Sequence, residues 1–381
     1  MRITFQYLFF IAMCLSSFGY TPISARIFPN ISSIPPWLIP KNDTVLGAWD
    51  AFKGFGGCRF GERTQGLSKL KSYFSHFGYI PNSPYNFTDD FDDELESALR
   101  TYQENFNLNV TGTLDEPTIQ HLIRPRCGNA DIVNGTTTMN SGKPTTKAAL
   151  NSTRFHTVGH YSFFPGMPVW PVGRRDLTYA FVPENELSDE VKAVFGRAFA
   201  RWSQVTPLTF TQIESFPAAD LKIGFFVGDH GDGEPFDGIL GTLAHAFSPT
   251  SGRFHLDGDE NWVIGGDIST SSVSSAVDLE SVAVHEIGHL LGLGHSSVED
   301  SIMFPTIPSR TRKVELATDD VQGIQQLYGS NPSYTNPPSS PSTPTVHQSD
   351  SDTSDGGDRG LGLWWDPYKL LLAVGLGLVL L

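Results

Sequence analysis

The chain has 381 residues, enough for two domains with tails, and 39% of them are hydrophobic, so a sizeable core can be buried. The formal net charge is −15. That excludes a chain built to grip nucleic acid, which needs a basic face. It suits cation sites made of carboxylates.

Arg2, then an apolar run from Phe5 to Leu15, then small residues predict a secretory signal peptide over residues 1–25. The run is too short for a membrane span. Of the three cysteines, Cys14 lies in that segment, leaving Cys58 and Cys127. One disulfide between them is open to a secreted protein. Separately used thiols are the preferred reading, because Cys127 has a metal-binding use. Sequons at Asn30, Asn42, Asn86, Asn109, Asn134 and Asn151 all precede residue 152 and suit a glycosylated secretory protein.

Residues 26–45 are rich in Pro and Ser and read as irregular. Three apolar-periodic segments follow. Leu67, Leu70, Phe74 and Phe77 form one helical stripe, and Leu95, Ala98, Leu99, Tyr102 and Phe106 a second. Ile119, Leu122 and Ile123 mark a short third, opened by Glu116-Pro117. The pattern predicts a small three-helix domain. Next comes Pro125-Arg126-Cys127-Gly128-Asn129-Ala130-Asp131. A thiolate is a strong zinc ligand, so Cys127 is a candidate to occupy and shut a zinc site elsewhere in the chain.

Residues 132–155 are rich in Thr, Ser, Asn and Gly and read as an exposed linker open to cleavage. Leu177 to Phe181, Leu208 to Ile213 and Leu221 to Phe226 read as strands. Ser188 caps a helix whose stripe is Val191, Val194, Phe195, Ala198, Phe199 and Trp202. Strands around one long helix, then a second helix carrying a metal motif, predict an α+β domain.

The loop after the third strand is dense in ligands. His230, Asp232, His245 and His255 make a closed four-ligand zinc set. Asp237, Asp257 and Glu260 offer hard oxygens for calcium, with backbone carbonyls completing the shell.

The stretch from His285 to His295 reads H-E-x-x-H-x-x-G-x-x-H. Residues four apart share a helix face, so His285 and His289 point the same way and can bind one zinc. Gly292 and Gly294 let the chain turn and bring His295 back as a third ligand. Three protein ligands leave one position open, as in catalytic zinc sites. Glu286 stands beside them as general base for an attacking water. Ser301-Ile302-Met303-Phe304-Pro305 supplies the methionine turn that this extended motif requires, with Met303 as an apolar floor. Asp278 caps this helix, and Thr318 caps a last helix through Tyr328, with Asp319 and Asp320 suited to its first turn.

After Gly329 the chain is rich in Pro, Ser, Thr and Asp and reads as a stalk. It ends in the apolar run Leu370 to Leu381, preceded by small residues at Ser354 to Gly357 and a spacer. That order is the signal for a GPI anchor; the alternative is a transmembrane span from Leu361, against which Asp366 and Lys369 count.

These motifs together resemble the matrix metalloproteinases, in particular the plant type without a haemopexin domain, over residues 50–330. The resemblance implies a metzincin-like α+β catalytic domain with a twisted, mostly parallel sheet, long helices and zinc at the cleft. It implies that Pro125 to Asp131 is the cysteine switch of a propeptide, with Arg126 and Asp131 paired, although Ala130 stands where the family has proline. It assigns His230, Asp232, His245 and His255 to a structural zinc. It assigns Asp237, the carbonyls of Gly238, Leu240 and Thr242, and Asp257 and Glu260 to calcium, and Asp220 to a second calcium. The loop from Ser248 to Phe254 is shorter than the family's version of it. Leu243 and Ala244 would pair with an extended substrate, and a pocket near Leu243 and Pro305 would take a bulky apolar residue just after the cut bond. The domains expected are a signal peptide at 1–25, a propeptide at 26–150, a catalytic domain at 151–330, a stalk at 331–357 and an anchor signal at 358–381. The expected function is a secreted, GPI-anchored endopeptidase dependent on zinc and calcium. It would act as a monomer on extracellular proteins and be open to protein inhibitors. The rival reading is a cell-surface binding protein with a non-catalytic zinc site. Glu286 discriminates between them, since a binding module needs no carboxylate beside an open zinc.

Overall fold

The computed structural model describes residues 47–81, 86–137, 139 and 160–334. The expected signal peptide, most of the expected linker, the stalk beyond Tyr334 and the anchor signal lie outside the described residues, as do Asn30, Asn42 and Asn151. Asn86, Asn109 and Asn134 are exposed.

The N-terminal unit has helices α1 (Leu67–His76), α2 (Asp93–Asn105) and α3 (Glu116–Leu122). The stripes expected from the sequence are its core: Leu67, Leu70, Phe74, Leu95, Leu99, Tyr102 and Leu122 are buried to 1% exposure or less. Asp92 caps α2 by accepting from Leu95 N at 3.1 Å, and Asp115 caps α3 by accepting from Thr118 N at 3.0 Å. A 3₁₀ turn over Asp50–Phe55 adds the Phe52 and Phe55 rings to this core. Phe304, from the opposite end of the chain, also packs into it. Cys58 and Cys127 are unpaired thiols, as preferred from the sequence.

Strand β1 (Arg126–Cys127) leaves this unit, followed by a hairpin of β2 (Ile132–Val133) and β3 (Thr136–Thr137). The expected linker therefore begins as a hairpin. Asn134 and Gly135 supply the positive φ values, 51° and 73°, that its two-residue turn requires.

The second unit contains β4 (Asp176–Phe181), α4 (Asp189–Val205), β5 (Thr209–Gln212), β6 (Leu221–Phe226), β7 (Thr242–Ala246) and β8 (Arg253–Asp257). A short pair, β9 (Asn261–Val263) and β10 (Ala276–Asp278), precedes α5 (Leu279–Leu290) and α6 (Thr318–Tyr328). The main sheet runs β1-β7-β8-β6-β4-β5, with every pairing parallel except β7 with β8. The α+β class and mostly parallel sheet expected from the sequence are both present. The β1 strand, contributed by the N-terminal region, covers the β7 edge.

Helices α4 and α5 are locked together. Trp202, fully buried on α4, donates from Nε1 to Val284 O on α5 at 2.9 Å. Trp170 Nε1 donates to Leu290 O at the other end of α5 at 2.9 Å. Ser188 and Asp278 cap α4 and α5 as expected, accepting from Val191 N and Ser281 N. The last helix departs from expectation by one residue. Ala317 occupies the cap and Thr318 is already helical, because the buried Asp320 carboxylate reaches back to Ala317 N at 2.7 Å. That carboxylate satisfies the cap residue's own N–H, the reciprocal half of a capping box.

His121 of α3 is buried where the two units meet. Its Nδ1 shares a 2.6 Å hydrogen bond with Tyr102 OH, and its ring lies 4.3 Å from Phe106 and 6.1 Å from Phe304. Burial, helped by the Arg124 and Arg126 charges, lowers its pKa from 6.5 to about 3. The folded chain favours the neutral ring. This contribution is therefore complete above pH 6.5 and is lost as pH falls from 6.5 toward 3. His121→Phe should flatten the acid loss of stability, by about 2 kcal/mol between pH 7 and pH 5. Denaturant unfolding of parent and variant at both pH values measures this; parallel losses in the two proteins would contradict it.

Candidate active site and metal centre

Helix α5 carries His285 and His289 one turn apart, with Glu286 next to His285, all buried. The Nδ1 atoms are held by backbone: His285 Nδ1 lies 2.7 Å from Ile302 O, and His289 Nδ1 lies 2.8 Å from Leu293 O. Each carbonyl needs a donor, so Nδ1 carries the proton and Nε2 presents a lone pair. The two Nε2 atoms face each other at 3.0 Å. Beyond α5, Gly292 adopts φ +105°, and a side chain there would collide with Pro168 O. The turn at this glycine returns His295 to the cluster, where its Nε2 is buried with no hydrogen-bond partner. Burial holds all three imidazoles below their usual pKa, in the neutral form that a metal ligand needs. Met303 packs its sulfur against Gly288 beneath the histidines, where only glycine leaves room.

Cys127 completes this cluster. Its Sγ is 3.4 Å from His289 Nε2, and the four candidate ligand atoms of Cys127, His285, His289 and His295 lie within 4.8 Å of one another. Three neutral imidazoles and one thiol converging on their lone pairs, with no competing cation, fit a tetrahedral zinc ion. Glu286 is fully buried beside them, and burial pushes its carboxyl up to about 8.

The segment carrying Cys127 lies across the cleft and bonds to both walls. Arg126 N donates to Gly241 O at 3.1 Å and Gly128 N to Ala244 O at 2.8 Å on the sheet side. On the other wall, Cys127 N donates to Pro305 O at 2.9 Å. Leu243 and Pro305 line one pocket with Cys127 and Glu286. Ala244 lies beside it in register with Cys127. Arg126 is fully buried, stacks 3.6 Å over the Phe77 ring and pairs with Asp131 at 2.7 Å.

A second cluster forms at the expected loop. Asp232 Oδ2 lies 3.0 Å from His230 Nε2, 2.8 Å from His245 Nε2 and 2.7 Å from His255 Nδ1. Nearby, Asp237, Asp257 and Glu260 face the backbone of the same loop. Asp237 accepts from Thr242 N, Asp257 from Gly238 N and Glu260 from Leu240 N. Burial raises all three carboxyls, and repulsion from neighbouring carboxylates adds to it at Glu260 and at Asp257, which reaches about 7. Asp220 is engaged otherwise: it pairs with Arg174 and accepts from Thr178 N and Oγ1.

Sequence reasoning assigned Asp320 only to the first turn of α6. It lies fully buried under the methionine turn, where it accepts from Ser301 Oγ, from Ile302 N at 2.8 Å and from Met303 N at 3.2 Å. Its position in a plain helix-start pattern gave no sign of this.

Comparison with known proteins agrees with this geometry. The matrixin family model matches residues 169–329, and a peptidoglycan binding domain model matches residues 63–122. Metalloendoproteinase 2-MMP of Arabidopsis thaliana is 60% identical over 334 residues, covering 87% of each chain. Metalloendoproteinase 1 of Glycine max is 51% identical, over 81% of this chain and 94% of its own. Matrix metalloproteinase-18 of Xenopus laevis is 39% identical over 65% of this chain and 46% of its own. An H-E-x-x-H helix with a returning third histidine, set in a mostly parallel sheet behind a helical N-terminal unit, is thus accompanied by close similarity over most of the chain: this protein belongs to the matrixin family and is a zinc metalloendopeptidase.

Proposed function

We propose that this endopeptidase is secreted as a latent precursor, tethered outside the cell by a C-terminal GPI anchor, and hydrolyses extracellular proteins once the segment carrying Cys127 is removed. The observation that carries the latency is the Cys127 sulfur set among the nitrogens of His285, His289 and His295. A thiol there fills the position that a catalytic site keeps open.

His285, His289 and His295 would hold the catalytic zinc, which when bound supplies positive charge to polarise the scissile carbonyl and make water nucleophilic. Every other step belongs to the chain. Glu286 takes a proton from the attacking water and passes it to the leaving amine. Gly241 O, Ala244 O and Pro305 O, which receive the N–H groups of the inhibitory segment, would receive those of an extended substrate. The pocket along Leu243 and Pro305 has the apolar lining to hold a bulky apolar residue just after the cut bond.

His230, Asp232, His245 and His255 suit a closed structural zinc site. Asp237, Asp257 and Glu260 suit calcium, together with the carbonyls of Gly238, Leu240 and Thr242. Three buried carboxyls with raised pKa values are stabilised as anions by a divalent cation. We do not extend calcium to Asp220, whose oxygens serve Arg174 and Thr178. The exposure of Asn86, Asn109 and Asn134 is what glycan attachment needs. The boundaries read from the sequence, monomeric action and control by protein inhibitors complete the proposal.

The test is peptidase activity of the full chain, supplied with zinc and calcium, on an apolar-rich peptide. Cys127→Ser should cleave without prior processing, whereas the parent should need it. A chelator should abolish cleavage, and adding Glu286→Ala to Cys127→Ser should lower the rate by about 10²–10⁴-fold. A Cys127→Ser protein no more active than the unprocessed parent would contradict the latency.

A further inference from the structure

The three histidines of the cluster are not held alike. His285 and His289 each give Nδ1 to a carbonyl of the catalytic unit itself, Ile302 O and Leu293 O. His295 gives Nδ1 to Asp131 Oδ1, at 2.7 Å, and Asp131 belongs to the inhibitory segment. That carboxylate is fully buried and firmly set. Its Oδ1 also receives Arg126 Nη2 at 2.7 Å, and its Oδ2 receives Tyr79 OH at 2.8 Å. Tyr79 in turn receives Asn105 Nδ2 at 3.2 Å, and Asp131 N donates to Phe77 O at 3.1 Å. A chain of buried polar groups therefore runs from the core of the helical unit to the back of one ligand ring.

We propose that Asp131 is a positioning residue for the metal: the inhibitory segment grips the site twice, through Cys127 at the ligand position and through Asp131 behind His295. This rests on the reading that His285, His289 and His295 hold zinc. A carboxylate accepting from the far nitrogen of a ligating histidine fixes its tautomer, orients its ring and makes it a better donor. Removal of the segment withdraws the thiol and this support together. The latent chain thus retains its metal more firmly than the Cys127 ligand alone provides. Arg126, sharing Oδ1 with His295, tethers the carboxylate but does not touch the ligand.

The experiment compares the full parent chain with Asp131→Asn and Arg126→Lys, loaded with zinc for release into a chelator and with cobalt for absorption. The near-ultraviolet thiolate-to-cobalt band reports that Cys127 is still in place. With that band retained, Asp131→Asn should release metal about 10–100-fold faster than the parent. Arg126→Lys, which keeps a cation beside Asp131 but loses the planar fork and leaves the His295 bond in place, should fall between the parent and Asp131→Asn. Asp131→Asn releasing metal at the parent rate, or the two variants releasing it equally fast, would overturn the proposal. Should Asp131→Asn lose the band, the parent alone decides. Its His295 Nδ1 proton, observed by NMR in the zinc-loaded full chain, must carry the downfield shift of a carboxylate-bonded imidazole, and its absence overturns the proposal too. His295→Ala with undiminished metal content and an unchanged cobalt spectrum would instead sink the reading of the metal site itself.

Discussion

The contact between the Cys127 sulfur and the imidazole cluster sets the terms for the rest of the molecule. Three lone pairs aimed at one point in a buried space are costly unless a cation sits among them. The surrounding structure is arranged to hold the lone pairs there. Ile302 O and Leu293 O fix two rings, and Met303 fits against Gly288 below them. Asp320 holds the methionine turn from behind. Trp202 and Trp170 tie helix α5 to its neighbours at Val284 and Leu290. The catalytic unit is a rigid support for one helix and one turn, and the helical unit is a support for one sulfur.

The segment carrying Cys127 reaches this point by lying against the sheet edge as an added strand. It joins β7 in parallel through Arg126 and Cys127 and meets Thr306 in antiparallel fashion on the other wall. Backbone hydrogen bonds give position without demanding particular side chains. Under the proposed latency, the same carbonyls would be open to many substrates once the segment leaves. What is particular to the segment is its side-chain chemistry: the thiol, the buried Arg126–Asp131 pair, and the stacking of Arg126 on Phe77. Breaking a buried pair strands a charge, so partial release is disfavoured. Under the proposed latency, this would bias the segment toward being either fully seated or fully removed.

Much of this was legible in the sequence, because the key geometry is local. The four-residue spacing of His285 and His289 fixes a shared face, and Gly292 marks where the helix must end. The stripes at Leu67 and Leu95 became buried core for the same reason of period. The illegible parts depend on contacts between distant segments. Asp131 could be matched to Arg126 five residues away, but nothing local to it points to His295, 164 positions later. Asp320 looked like a favourable charge at a helix start, and its burial under the methionine turn follows only from how α6 docks. The hairpin at Asn134-Gly135 was hidden by composition, since a Thr- and Gly-rich stretch reads as a linker until the two turn residues are weighed for their φ values.

The measurement that tests the central claim most directly is zinc-edge X-ray absorption on the unprocessed full chain, with the His230 cluster blocked by His245→Ala so that one site dominates. A latent site closed by Cys127 predicts three nitrogen scatterers at about 2.0–2.1 Å and one sulfur at about 2.3 Å. A shell of nitrogen and oxygen alone, with no sulfur, would mean that Cys127 does not close the site, and latency would need another cause.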